Sequence, residues 1–156
     1  MGSLLLWGFV ATLILTVSLL SAQSLGITRI DMSFILGTMV TPRRDRAKAI
    51  GYGMHVLIGL AAAFFYGAIF ASLGMSSWWL GGAVGILQGL VVCLVVLPLL
   101  PAIHPRMVSD ARGPQPTRLL EPPGRMGLNY GRRTPIVLLV AHALFGVVLG
   151  GFYAFT

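Results

Sequence analysis

The sequence predicts an all-α membrane fold: four transmembrane helices in one bundle, built from two tandem helical hairpins. Three observations predict it. The 156 residues are 56% hydrophobic and only 10% charged, whereas a soluble domain carries about 25% charged residues. Apolar stretches at about 4–22, 47–72, 78–100 and 135–155 each approach the roughly 20 residues that a spanning helix needs. All eleven Lys and Arg residues fall in two segments, one after the first stretch and one after the third.

The charges set the topology. Arg29, Arg43, Arg44, Arg46 and Lys48 belong to the first segment; Arg106, Arg112, Arg118, Arg125, Arg132 and Arg133 belong to the second. Basic residues flanking spans stay cytoplasmic. Both loops, 23–46 and 101–134, are therefore expected inside, with both termini and the 73–77 turn outside. Trp7, Trp78, Trp79 and Tyr153 then form an aromatic belt at the outer interface. A net charge of +7 placed beside spans selects anionic lipid headgroups, not nucleic acid. Arg43, Arg44, Arg46, Lys48, Arg132 and Arg133 are the expected headgroup contacts. The first stretch lacks a basic region ahead of it, so it reads as a retained helix and not as a leader.

Each element has local signals. Thr41-Pro42 and Thr134-Pro135 each offer a capping hydroxyl before a first-turn proline. In the first loop, Thr28 and Asp31 form a T-x-x-D capping box, and Gly37 closes a short interfacial helix over 29–36. The second loop holds Pro101, Pro105, Pro114, Pro116, Pro122 and Pro123, which predicts mostly irregular backbone.

The hairpins carry a repeat. His55, Leu57, Gly59, Ala63, Phe65 and Tyr66 recur 87 residues later as His142, Leu144, Gly146, Gly150, Phe152 and Tyr153. Weaker matches pair Gly8 with Gly81, Thr12 with Gly85 and Thr16 with Gly89. Two crossings per unit put the copies in one orientation, about an axis along the membrane normal. Small residues also recur every fourth position: Gly59, Ala63 and Gly67; Gly81, Gly85 and Gly89; Gly146 and Gly150. Such stripes let helices approach closely in lipid, inside the bundle or against a partner subunit.

His55 and His142 are the candidate binding residues, at equal depth within the second and fourth spans. An ionisable group inside a span usually faces the bundle interior. A structural role as interhelical hydrogen-bond donors is expected, with each ring bonding a separate helix. The alternative is a cofactor between the rings, a haem b iron or a quinone. His104, Asp31 and Glu121 are scattered over loops without ligand spacing, so no metal is expected; His104 is expected in solvent or beside an arginine. The acids Asp31, Asp45, Asp110 and Glu121 all lie outside the spans, which argues against a carboxylate proton route. Asp31 and Asp45 are expected to pair with Arg29, Arg43 or Arg44. Cys93, the only cysteine, reads as a small core residue.

Gly8-Phe-Val-Ala-Thr12, Gly26-Ile-Thr-Arg-Ile-Asp31-Met32, Leu36-Gly37-Thr38, Leu120-Glu-Pro-Pro-Gly124 and Gly127-Leu-Asn-Tyr-Gly-Arg-Arg-Thr-Pro135 resemble a group of small bacterial four-helix membrane proteins of unknown function. The resemblance implies four helices and a bacterial inner-membrane location, and no activity. The function expected is that of a non-catalytic accessory or structural subunit, or assembly factor, of a larger membrane complex. The alternatives are haem or quinone binding at His55 and His142, and a small homo-oligomeric channel or carrier.

Overall fold

The computed structural model describes residues 2–109, 113–116 and 120–153; the expectations for Asp110, Arg112, Arg118 and residues 154–155 lie outside them. The elements are α1 (Gly2–Ser24), α2 (Met32–Val40), α3 (Arg44–Leu73), α4 (Trp78–Val91), a π-helical turn (Val92–Val96), α5 (Leu97–Ile103), a 3-10 segment (Arg125–Tyr130) and α6 (Thr134–Phe152). Four helical segments, Ser3–Ser24, Arg44–Leu73, Trp78–Ile103 and Thr134–Phe152, are long and apolar enough to cross a membrane. The chain is consistent with an integral membrane protein.

Helix α1 packs against α3 and α6, α6 packs against α4, and α2 lies along the first turns of α3. The α1–α3 pair runs antiparallel, with Gly8 opposite Ala63, Thr12 opposite Gly59 and Leu4 opposite Gly67. The α4–α6 pair is tighter. A Cβ on Gly81 would stand 2.0 Å from the Gly146 carbonyl oxygen, and one on Gly85 would stand 2.2 Å from that of His142. Conversely, a Cβ on Gly146 would meet the Gly81 oxygen at 1.9 Å, and one on Gly150 the Ser77 oxygen at 2.2 Å. Backbones this close gain dispersion contacts that lipid cannot supply. Gly89 faces Leu139 and His142. Every expected stripe is thus filled by another helix of this same chain.

The two loops meet at one end of the bundle. The buried Thr28 and Thr134 hydroxyls lie 2.7 Å apart, the Arg29 N–H donates to Tyr130 O at 2.8 Å, and the Arg29 guanidinium donates to Asn129 O. Arg29 also pairs with Glu121 at 3.4 Å. At the opposite end, Ser76 Oγ donates to Tyr153 O at 2.9 Å and Trp7 stacks on Phe152 at 4.7 Å.

Four local expectations change. The short helix begins at Met32 with Asp31 as its cap, accepting from Phe34 N at 2.9 Å. Thr28 is not its cap, and Gly37 does not end it. Gly37 sits mid-helix because a Cβ there would fall 1.7 Å from Ala47 O; close approach, not a turn, selects glycine. Helix α3 begins at Arg44 without a side-chain cap, so Arg44, Arg46 and Lys48 ride its first turns and not the loop, and Thr41 Oγ1 instead accepts from the Arg43 N–H. Thr134 does not cap α6 either; Arg133 occupies that position without a side-chain bond, and the Thr134 hydroxyl is used on Thr28. The third span continues past Pro98 and Pro101 to Ile103. Pro98 has no N–H for the carbonyl four residues back, and the π turn at Val92–Val96 lies immediately before it.

Gly81→Leu and Gly146→Leu are expected to separate α4 from α6, costing about 1–3 kcal/mol or more by overpacking. Leu87→Ala, at a residue 62% exposed, is expected to be mild. Melting temperatures and monodispersity in detergent check the contrast, and equal values for all three variants contradict it.

Candidate functional site: a cavity between two histidines

His55 and His142, one on each of two candidate spans, line one cavity of about 110 Å³. Its polar lining is Thr12, His55, Gln88 and His142; its apolar lining includes Leu15, Met32, Leu36, Ile58, Val92, Val96 and Phe145. Five helices and the π turn contribute. Ile58 and Val96 are 50% and 41% exposed, so part of the lining lies at the surface of the bundle. Turns of π-helix within α-helices are frequent at functional sites, and Val92 and Val96 of this one form part of the wall.

The hydrogen bonds fix which ring nitrogens remain available. Thr16 Oγ1 donates its only proton to Thr12 O at 2.7 Å, so it faces His55 Nδ1, 3.0 Å away, as an acceptor. The neutral His55 ring therefore carries its proton on Nδ1. His142 Nδ1 lies 2.8 Å from Leu138 O; a carbonyl only accepts, so this proton too is on Nδ1. Each ring is left with an unprotonated Nε2 that has no partner among the described residues. His142 is buried, at 7% exposure, and His55 is half-buried. Gln88 supplies the complementary polarity. Its Oε1 accepts from Tyr66 Oη at 2.8 Å, which leaves its amide N–H groups as donors.

The expectation that each ring bonds a separate helix holds for His55, which reaches α1, and fails for His142, which returns to its own backbone. The cause is the residue opposite. His55 faces a threonine hydroxyl, whereas His142 faces Gly89, which has no side chain. Thr12, Thr16 and Gln88 were not among the sequence candidates. The signal was present: Gln88 is an amide inside an apolar span, and Thr16 pairs with Gly89 in the weaker repeat.

Haem does not fit. Two imidazoles suit a six-coordinate iron, but about 110 Å³ falls well below the roughly 300–1,000 Å³ of ordinary small-molecule sites. The other sequence candidates lie elsewhere. Among the described residues no three His, Cys, Asp or Glu side chains gather as for a metal. His104 is fully buried, not solvated. Its Nε2 donates to Ile35 O at 2.9 Å and its Nδ1 accepts from the Arg106 N–H at 3.1 Å. Burial lowers its pKa, opposed by the Ile35 bond and aided by the Arg106 charge. Asp31 pairs with Lys48 at 3.3 Å and not with an arginine; Asp45 forms no ion pair among the described residues. Arg43, Arg44, Arg46, Lys48, Arg132 and Arg133 are all exposed at the loop end.

Comparison with protein-family models, with curated proteins and with solved structures gives no match to this chain.

The tautomers are directly measurable. Nitrogen-15 chemical shifts of histidine-labelled protein are expected to show His55 and His142 as Nδ1–H rings at neutral pH. An Nε2–H signal from either would remove the paired acceptors.

Proposed function

We propose that this chain is a non-catalytic integral membrane protein that binds a small hydroxyl-bearing, lipid-soluble molecule at His55 and His142. The single observation carrying this reading is that both rings line one cavity while each Nδ1 is engaged in a hydrogen bond; with the protons on Nδ1, the Nε2 lone pairs are left for a ligand. Such a pair favours a ligand that donates hydrogen bonds. A quinol hydroxyl qualifies; the carbonyl of the oxidised quinone does not, and only the Gln88 amide would serve it. The small volume suits the polar end of the molecule, and the exposure of the lining residues Ile58 and Val96 supports a hydrocarbon part left in lipid.

The accessory-subunit reading rests on size and composition. The glycine stripes that would carry a partner interface are occupied from within, at Gly59, Gly67, Gly81, Gly85, Gly89, Gly146 and Gly150. The repeat reading gains support from equivalent contacts. Gly8 meets Ala63 as Gly81 meets Gly150, Thr12 meets Gly59 as Gly85 meets Gly146, and Thr16 meets His55 as Gly89 meets His142. The topology proposed is a bacterial inner membrane with the loop end cytoplasmic, α2 at that interface, and anionic headgroups around the exposed arginines.

A short-chain alkyl hydroquinone titrated into purified protein is expected to bind more tightly than its quinone. His142→Leu and His55→Leu are each expected to weaken binding about tenfold, the cost of one good hydrogen bond to a buried acceptor. Equal affinity for both redox forms refutes the proposal, and a haem absorption band in protein from haem-supplied cells refutes the volume argument.

Topology is tested on intact cells with an impermeant maleimide. Ser76→Cys is expected to label from outside and Arg125→Cys only after permeabilisation; the reverse pattern inverts the protein.

A further inference from the structure

A second site, independent of the central cavity, stands at the loop end. It is a pocket of about 540 Å³ lined by Phe34, Thr38, Pro42, Arg44, Pro105, Arg106, Pro116 and Leu120, within the range of ordinary small-molecule sites. Its chemistry divides into two parts: two guanidiniums, and walls of one aromatic ring, one leucine and prolines.

The guanidiniums are held in place. Arg106 is half-buried; its guanidinium donates to Thr38 O at 2.5 Å and its backbone N–H donates to the buried His104 ring. That ring in turn donates to Ile35 O, so Arg106 is tied to α2 at two points. Arg44 lies over the Phe34 ring, 5.7 Å from its centre. Neither cation has a carboxylate partner among the described residues, where the ion pairs are Arg29 with Glu121 and Lys48 with Asp31. Asp45, next to Arg44 in sequence, does not line the pocket. Arg44 also opens the thirty-residue helix α3, whose N-terminus adds positive potential. Two like charges without a counter-charge among the described residues raise the energy of the empty pocket, and an anion relieves it.

We propose that this pocket binds the phosphate of a single anionic lipid, with Arg44 and Arg106 on the phosphate and Phe34 and Leu120 against its first hydrocarbon groups. Guanidiniums match phosphate in a two-pronged geometry that ammonium groups lack. The pocket lies where α3 begins and just beyond the end of α5, at the boundary where a lipid phosphate resides. Free phosphate shares the charge and lacks the hydrocarbon.

The test uses the full chain in nanodiscs of phosphatidylcholine containing phosphatidic acid, with retained lipids counted by native mass spectrometry. One phosphatidic acid per chain is expected to survive where phosphatidylcholine is stripped. Arg44→Gln, which removes the guanidinium over Phe34, is expected to lower retention about tenfold. Arg106→Lys keeps the charge, loses the fork and is also expected to lower it. Arg132→Gln with Arg133→Gln removes two charges outside the pocket and is expected to change retention by about twofold or less. Equal loss in that control, equal retention of both lipids, or unchanged retention in folded Arg44→Gln protein overturns the proposal. Displacement of the lipid by millimolar inorganic phosphate makes a free anion the ligand and overturns the lipid assignment.

Discussion

The backbone-to-backbone contact of α4 with α6 is the constraint on which the rest of the bundle depends. Gly81, Gly85 and Gly146 leave no space for a methyl group between the helices. This contact fixes the depth and rotation of α6, and therefore the position of His142. It also removes the side chain that would otherwise face that ring. With Gly89 opposite its Cβ, His142 meets no side chain at the place of Thr16, and its Nδ1 bonds Leu138 O. On the looser α1–α3 side, Thr16 fills the corresponding place and holds His55. One packing difference thus sends two similar rings to different partners, while both end with Nδ1 committed and Nε2 available.

The spans were legible because apolar length and charge placement are properties of the residues themselves, and both survive any detail of packing. His55 and His142 share a frame with a glycine four residues on, and both line one cavity. The cavity between them was not legible. It depends on α2, whose placement the sequence signals misread. Gly37 looked like a helix end, since glycine usually ends helices by adopting a left-handed conformation. Here it serves close approach to Ala47, a contact invisible without the partner helix. Thr134 looked like a cap by the same local logic, but its hydroxyl is used across 106 residues on Thr28. Pro101 looked like the start of a loop. The helix instead runs through it to Ile103. Local rules fail at these positions because a tertiary contact competes for the same group and wins.

Arg106 and His104 show the same limit for charge. A histidine flanked by prolines and an arginine reads as solvated loop. Burial changes its role: a neutral ring with one donor and one acceptor joins the end of α5 to α2. Desolvation favours that neutral form, and the neutral form is what the two hydrogen bonds require, because a doubly protonated ring has no acceptor for the Arg106 N–H. The anchor and its protonation state support each other.

Helix α2 ties the two cavities into one arrangement. Its nine residues present three faces at helical spacing. Ser33 and Gly37 press on α3 at Gly51 and Ala47, Met32 and Leu36 line the cavity of the histidines, and Phe34 and Thr38 line the pocket of the two arginines. A helix this short has little stability of its own; the Asp31 cap, the Lys48 ion pair and the His104 bond supply it from outside. A ligand in either cavity touches the same wall. Were a ligand in one cavity to change the affinity of the other, the second ligand would change the first by the same factor, since coupling between two binding sites is reciprocal. The close contacts at Gly37 and Gly51 leave no space between α2 and α3 for a methyl group, so the third face of α2 is fixed by α3.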